Sequence, residues 1–284
     1  MPFLEIALTE GLQGSLLKPG RQGGWGVIVL GGSSGRVDVA RAGLFADYGA
    51  VVIALRWFGG EGQSPGICEI PLESFAPAIQ RLIEEGCDRI ALVGTSKGAE
   101  AALLVASHDP RVDAVVAISP SSVVWANTGP GMDGIGWPLR SSFTHRGTPL
   151  PFVPFEAEAL LSVDRRPPVR YLELHRKSLQ TFAAELPQAA IPIERARADV
   201  ILVAGEDDAL WPSAIFAKAL SDRLQASGKA ASLVLHPTAG HRVLLPGETT
   251  AKSAVNEHGG TDQADRELGR AAWSEISRLL KFVD

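Results

Sequence analysis

Short, continuous apolar runs rich in β-branched residues recur along the chain: GVIVL (26–30), AVVIAL (50–55), RIALV (89–93), VDAVVAIS (112–119), DVILVAG (199–205) and ASLVLH (231–236). Apolarity without polar alternation marks strands covered on both faces. Between them lie helical patterns at 39–49, 73–86, 96–107, 213–228 and 264–282, and Gly49, Gly86 and Gly228 stand where C-terminal caps would stop three of these helices. Regular alternation of strand and helix predicts an α/β protein with a mostly parallel central sheet and helices on both faces. Ahead of it, FLEIALTEGLQGSLLKP (3–19) breaks at Glu10 and Gly11 and reads as an antiparallel hairpin at one sheet edge.

The rhythm stops over 121–197, where NTGPGMDGIGWP, RGTPLPFVP and RRPPV are rich in glycine and proline and strand periodicity is absent. Because the same pattern resumes afterwards, the expected organisation is one domain over 1–284 with 121–197 as a cap or lid. Within it, residues 140–177 hold seven basic residues against four acidic ones, which suits either an ordinary solvated surface or phosphate contacts.

Composition narrows the function. The formal charge of −5 comes from interspersed acids and bases, with no basic block for nucleic acid. No apolar run is long enough to span a bilayer. The start, MPFLEIALTE, carries an early acid and no basic export signal, so a cytoplasmic protein is expected. Cys68 and Cys87 offer neither a disulfide framework nor metal-ligand spacing and read as buried structural residues. No metal or organic cofactor is expected.

The candidate chemistry lies in VGTSKG (93–98), which follows an apolar strand and opens a helix. That is the arrangement of a nucleophile elbow, with Gly94 and Gly98 permitting the tight turn and Ser96 projecting at the sheet's carboxyl end. The competing role for Ser96 is an ordinary helix N-cap. A serine nucleophile needs a histidine base oriented by an acid. EDDALWPS after the fifth run offers Asp207 and Asp208, and HPTAGH after the sixth offers His236 and His241. Asp208 is preferred for its spacing from the strand-end glycine and the Trp-Pro that follows. His241 is preferred because the small-residue turn TAG can swing its imidazole over the sheet edge, whereas His236 reads as structural. His108, His145, His175 and His258 show no partner and default to the surface. The backbone amide of Lys97, with that of Ser33 or Gly32 in the loop GGSSGRVD, would form the oxyanion hole. That loop fits neither a P-loop nor a dinucleotide fingerprint. Trp57 and Phe58 would either line an acyl pocket or pack in the core.

GTSKGAEAALLVAS, IPIERARADVILVAGEDDALWPS, HPTAGH and the glycine loop after VIVL together resemble the catalytic domain of the acyl-CoA thioesterase and bile acid-CoA:amino acid N-acyltransferase family, within the α/β-hydrolase superfamily. The resemblance covers roughly 25–283 and implies Ser96, Asp208 and His241 as the triad. Family members that transfer acyl groups to amino acids typically carry cysteine at the nucleophile position, so the serine here implies hydrolysis. The longer animal enzymes carry a β-sandwich of about 100 residues ahead of this domain, and the contacts it supplies are expected to be absent or replaced. The expected activity is cleavage of an acyl thioester or ester through an acyl-enzyme. An acyltransferase and a non-catalytic ligand-binding homologue are the rivals.

Overall fold

A computed structural model describes residues 3–9 and 11–282. In chain order the strands are β1 (Phe3–Leu8), β2 (Gln13–Pro19), β3 (Trp25–Leu30), β4 (Val51–Arg56), β5 (Ile70–Pro71), β6 (Arg89–Thr95), β7 (Ala114–Ile118), β8 (Phe143–His145), β9 (Thr148–Pro149), β10 (Asp199–Gly205) and β11 (Ala231–His236). The helices are α1 (Val39–Asp47), α2 (Ala76–Glu84), α3 (Lys97–His108), α4 (Ala157–Leu161), α5 (Leu172–Thr181), α6 (Leu186–Ala189), α7 (Ser213–Ala226) and α8 (Asp262–Leu280).

Eight strands form one sheet in the order β1-β2-β4-β3-β6-β7-β10-β11. Every pair from β4 to β11 is parallel, and the β1–β2 and β2–β4 pairs are antiparallel. Each continuous apolar run is therefore a strand, and the leading hairpin occupies the sheet edge. Its break at Glu10 lies outside the described residues. The core strands are apolar on both sides because each faces a layer. α2, α3 and α7 pack with Ile28, Leu92 and Leu202 on one face. α1 and α8 pack with Val27, Val93 and Val203 on the other. The α1–α8 contact is closed by Phe45 and Trp273, whose ring centroids lie 5.4 Å apart, edge to face.

Strand order reverses at β3. The chain runs to β4 on one side and then crosses to β6 on the other, leaving a crevice above the carboxyl ends of β3 and β6. Open α/β sheets bind ligands at such a switch point. The glycine loop 31–35 and Ser96 both lie there.

Residues 121–197 are more structured than their glycine and proline content suggests. They hold α4, α5, α6 and the β8–β9 hairpin, and β8 pairs with β5 through Ile70 and Phe143. Their apolar residues form a third cluster in which Val123, Trp125, Val153 and Ala189 meet Trp211 and Phe216 from the region after β10. The short strands escaped the periodicity because each is only two or three residues long, too short to show an alternation.

Candidate active site

The elbow is tight because nothing larger than hydrogen fits at its glycines. A Cβ on Gly94 would lie 2.1 Å from the Gly98 carbonyl oxygen, and one on Gly98 would lie 2.4 Å from that of Leu30. β6 consequently turns straight into α3, and Ser96 between them takes φ 58° and ψ −123°. A non-glycine residue in that region carries strain of about 1–3 kcal/mol. Ser96 stands at the N-cap position, yet its side chain makes no capping hydrogen bond. Ser96 lines a cavity of about 930 Å³, together with Ser33, Lys97, Phe58 and Trp125. Gly32 lies beside the serine: a Cβ there would come within 3.1 Å of Ser96 Cβ.

The loops after β10 and β11 bring Asp208 and His241 together, with Nδ1 of the buried imidazole 2.7 Å from Asp208 Oδ2. The other carboxylate oxygen accepts from the backbone amides of Leu210 at 2.8 Å and Trp211 at 3.3 Å, which fixes the carboxylate plane. Glu206 instead pairs with Lys218, and Asp207 accepts from the Gly260 amide. His236 faces Glu267 at 3.2 Å on α8. Among the described residues Ser96 Oγ makes no hydrogen bond, to His241 or to any other group. Such contacts commonly tighten only once substrate is bound.

Several groups that the sequence did not disclose hold His241 in place. Its amide donates to the His258 carbonyl at 2.7 Å. Its carbonyl accepts from Ser119 Oγ at 2.8 Å. Its neighbours are bolted to the buried Asp265 of α8, which accepts from the Gly240 amide at 3.0 Å and from Arg242 at 2.9 Å. Ser119, like Ser96, has a positive φ, 48°. Below the elbow, Arg41 of α1 donates to Thr95 Oγ1 at 2.6 Å, to the Val243 carbonyl at 2.9 Å and to both oxygens of Glu248. Burial alone would lower the Arg41 pKa, but Glu248 outweighs it and holds the guanidinium above its ordinary value. A strand end before the serine and the segment after the histidine thus share one buried ion pair.

Lys97 has a second feature besides its amide. Its side chain is buried, and Nζ reaches Glu100 at 2.7 Å and Ser142 Oγ at 2.8 Å. Glu100 in turn accepts from the Trp125 amide at 3.1 Å. Burial pushes the Lys97 ammonium down and the Glu100 carboxyl up, each opposed by the other's charge.

Of the two aromatic candidates, Phe58 lines the cavity. Trp57 packs against Phe75 and Phe143, and its indole donates to the Gly31 carbonyl at 3.1 Å, bracing the glycine loop from behind. The surface expectation for four histidines is corrected. His108 and His145 pack ring on ring at 4.4 Å, and His145 faces Glu73. His175 lies in the cavity wall between Trp125 and Trp211. His258 packs 5.8 Å from His241. Burial, the largest cause in each case, depresses both His175 and His258 to about 4. Each of these half-buried rings packs against elements distant in sequence, which is why no local pattern announced it.

A crossed-over parallel sheet, a strained serine between strand and helix, and a hydrogen-bonded Asp–His pair in the loops after the last two strands define the α/β-hydrolase fold. Solved structures agree on the fold. A dienelactone hydrolase-like promiscuous phosphotriesterase from metagenomic libraries aligns at TM-score 0.58 with 15% identity, covering 99% of this chain and 97% of that one. A Pyrococcus furiosus esterase aligns at 0.53 with 15% identity, covering 99% and 91%. Within that class, residues 70–281 match the family described as BAAT / Acyl-CoA thioester hydrolase C terminal, and the chain belongs to it. It is 28% identical to the mouse (Mus musculus) peroxisomal succinyl-coenzyme A thioesterase over 291 aligned residues, covering 95% of this chain and 63% of the relative. It is also 28% identical to mouse acyl-coenzyme A amino acid N-acyltransferase 2 over 253, covering 84% and 54%. The chain thus spans little more than half the length of such relatives. Among the described residues no helix is long and apolar enough to cross a membrane.

Proposed function

We propose that this chain is a serine hydrolase that cleaves an acyl thioester of the acyl-CoA type, or a carboxylic ester, through an acyl-enzyme. Ser96 Oγ bonds to the acyl carbon while its proton passes to Nε2 of His241, the nitrogen not engaged by Asp208. Asp208 keeps that tautomer and stabilises the imidazolium. The amides of Lys97 and of Ser33 or Gly32 receive the charge that develops on the carbonyl oxygen. His241 returns the proton to the departing thiolate or alkoxide. Water, deprotonated by the same imidazole, then releases the acid and free Ser96. Residues 121–197 act as the cap, contributing Trp125, Trp137, Phe155, Tyr171 and His175 to the cavity.

The observation that carries this reading is the backbone of Ser96. A serine at φ 58° that performs no capping has strain without a structural return. Function is the usual reason such strain persists. In the test, folded Ser96→Ala is assayed against acyl-CoA thioesters and p-nitrophenyl esters. Turnover should fall by several orders of magnitude, and labelling by a fluorophosphonate should vanish; undiminished turnover would overturn the nucleophile assignment.

The likeness to a named N-acyltransferase favours one second reading, transfer of the acyl group to an amine. Product analysis with and without added amino acids separates the two, free acid marking hydrolysis and acylated amine transfer.

A further inference from the structure

The cavity beside Ser96 carries positive charge without a balancing acid. Its charged lining residues are Arg56, Lys97 and Arg165, and among the described residues no carboxylate lines it. Lys97 is matched by Glu100, 2.7 Å away. Arg165 is exposed on the cap, where water solvates it. Arg56 is different: it is half-buried, its side chain is held, and among the described residues it has no acidic partner.

The Arg56 stem lies against Gly60, where a Cβ would come within 2.7 Å of Arg56 Cδ and 2.0 Å of Gln13 Oε1. Its head donates from Nη1 to the Gly35 carbonyl at 3.3 Å, and Gly35 also lines the cavity. That one long bond leaves most of the guanidinium's N–H donors without a protein acceptor. A half-buried cation in this state has lost hydration without gaining a counter-charge, and a carboxylate or phosphate fits its fork.

Strand register puts this head close to the chemistry. Leu55 pairs with Leu30, so Arg56 stands beside Gly31 at the start of the glycine loop. The Gly35 amide donates to the Gly32 carbonyl at 3.2 Å, closing the loop into a single turn, and such a turn holds its end Cα atoms within about 7 Å. Gly32 in turn abuts Ser96. An anion on Arg56 therefore lies a few bonds from the acyl carbon under attack. The phosphates of CoA are set off from the thioester by the whole pantetheine arm, whereas a carboxylate at the far end of a short acyl chain falls within that span.

Resting on the hydrolase reading above, we propose that the acyl group ends in a carboxylate bound by Arg56, the substrate being the monothioester or monoester of a short dicarboxylic acid. Arg56 sets acyl specificity and takes no part in bond cleavage.

The experiment measures kcat/KM for two pairs matched in chain length, glutaryl-CoA against pentanoyl-CoA and adipoyl-CoA against hexanoyl-CoA, on the intact chain, Arg56→Met and Arg56→Lys. The pentanoyl thioester of N-acetylcysteamine, which has no phosphate, is a further arm. The intact chain should prefer the dicarboxylyl member of each pair by at least about tenfold, the scale of one charge-assisted hydrogen bond. Arg56→Met should remove that preference through KM. Arg56→Lys, which keeps the charge without the fork, should weaken it, and serves if Arg56→Met fails to fold. Equal or better turnover of the monocarboxylyl members by the intact chain, or an unchanged preference in both variants, would overturn the assignment and leave the hydrolase reading standing. So would a loss in the variants that falls on pentanoyl-CoA and spares its N-acetylcysteamine counterpart, since that would put a CoA phosphate on Arg56. No turnover of any thioester, with Ser96 unlabelled by fluorophosphonate, would bring down the hydrolase reading and this inference with it.

Discussion

Asp208 does two jobs with its two oxygens, holding the Leu210 and Trp211 amides with one and His241 with the other. Asp208→Asn keeps the size but presents the wrong partner to Nδ1, so kcat should fall on the order of 10⁴-fold with the circular dichroism spectrum unchanged. A separate consequence follows for His175 and His258. Folded, both stay neutral down to pH about 4, whereas the unfolded chain protonates them near 6.5. Between those values the unfolded state binds more protons, so these residues cost stability as pH falls through that window. Thermal unfolding across pH 7 to 4 should show a shallower loss in His175→Gln and His258→Gln than in the parent. At this scale the turn at Ser96 and the meeting of Asp208 with His241 were legible because each follows a recognisable strand, β6, β10 or β11. Ser119, His258 and Asp265 were not, since their contacts with the His241 region are made across separate elements; Ser119 and His241 are 122 positions apart.

Among elements, the join of β6 to α3 depends on missing atoms. Gly98→Ala would drive a methyl into the backbone oxygens of Leu30 and Gly31, at 2.4 and 2.5 Å. Backbone cannot yield as a side-chain tip can, so the variant should lose soluble expression or unfold at a markedly lower urea midpoint. The Arg41–Glu248 pair ties α1 to the segment following His241, both side chains nearly inaccessible. Glu248→Ala leaves a buried guanidinium uncompensated and should destabilise by about 3–5 kcal/mol in urea unfolding, while Arg41→Met with Glu248→Leu should recover most of it. The helices of the main layers were legible from their periodicity, and their capping glycines lie where expected. Gly49, Gly86 and Gly228 all have positive φ. Helix α5 and the β8–β9 hairpin were not, because a half-buried helix and strands of two or three residues have little pattern of their own.

Across the whole molecule, the sheet and the 121–197 region are joined through Lys97 and Glu100, whose partners Ser142 and Trp125 both belong to that region. Glu100→Gln should loosen this attachment and leave Lys97 without its counter-charge. Limited proteolysis should then cut faster within 121–197 than in the sheet. The sequence carried the SKGAE motif in plain view but not its role, which emerges only once two distant loops are laid over the helix.

The hydroxyl is built on the fifth strand of the main sheet, whereas the acid and the base hang from its seventh and eighth. Chains emerge from the ribosome amino end first and tend to fold in that order. A nascent or prematurely terminated product therefore carries its strained serine without anything to deprotonate it. On the proposed mechanism, deprotonation of Ser96 therefore waits until the last third of the polypeptide has been made and docked.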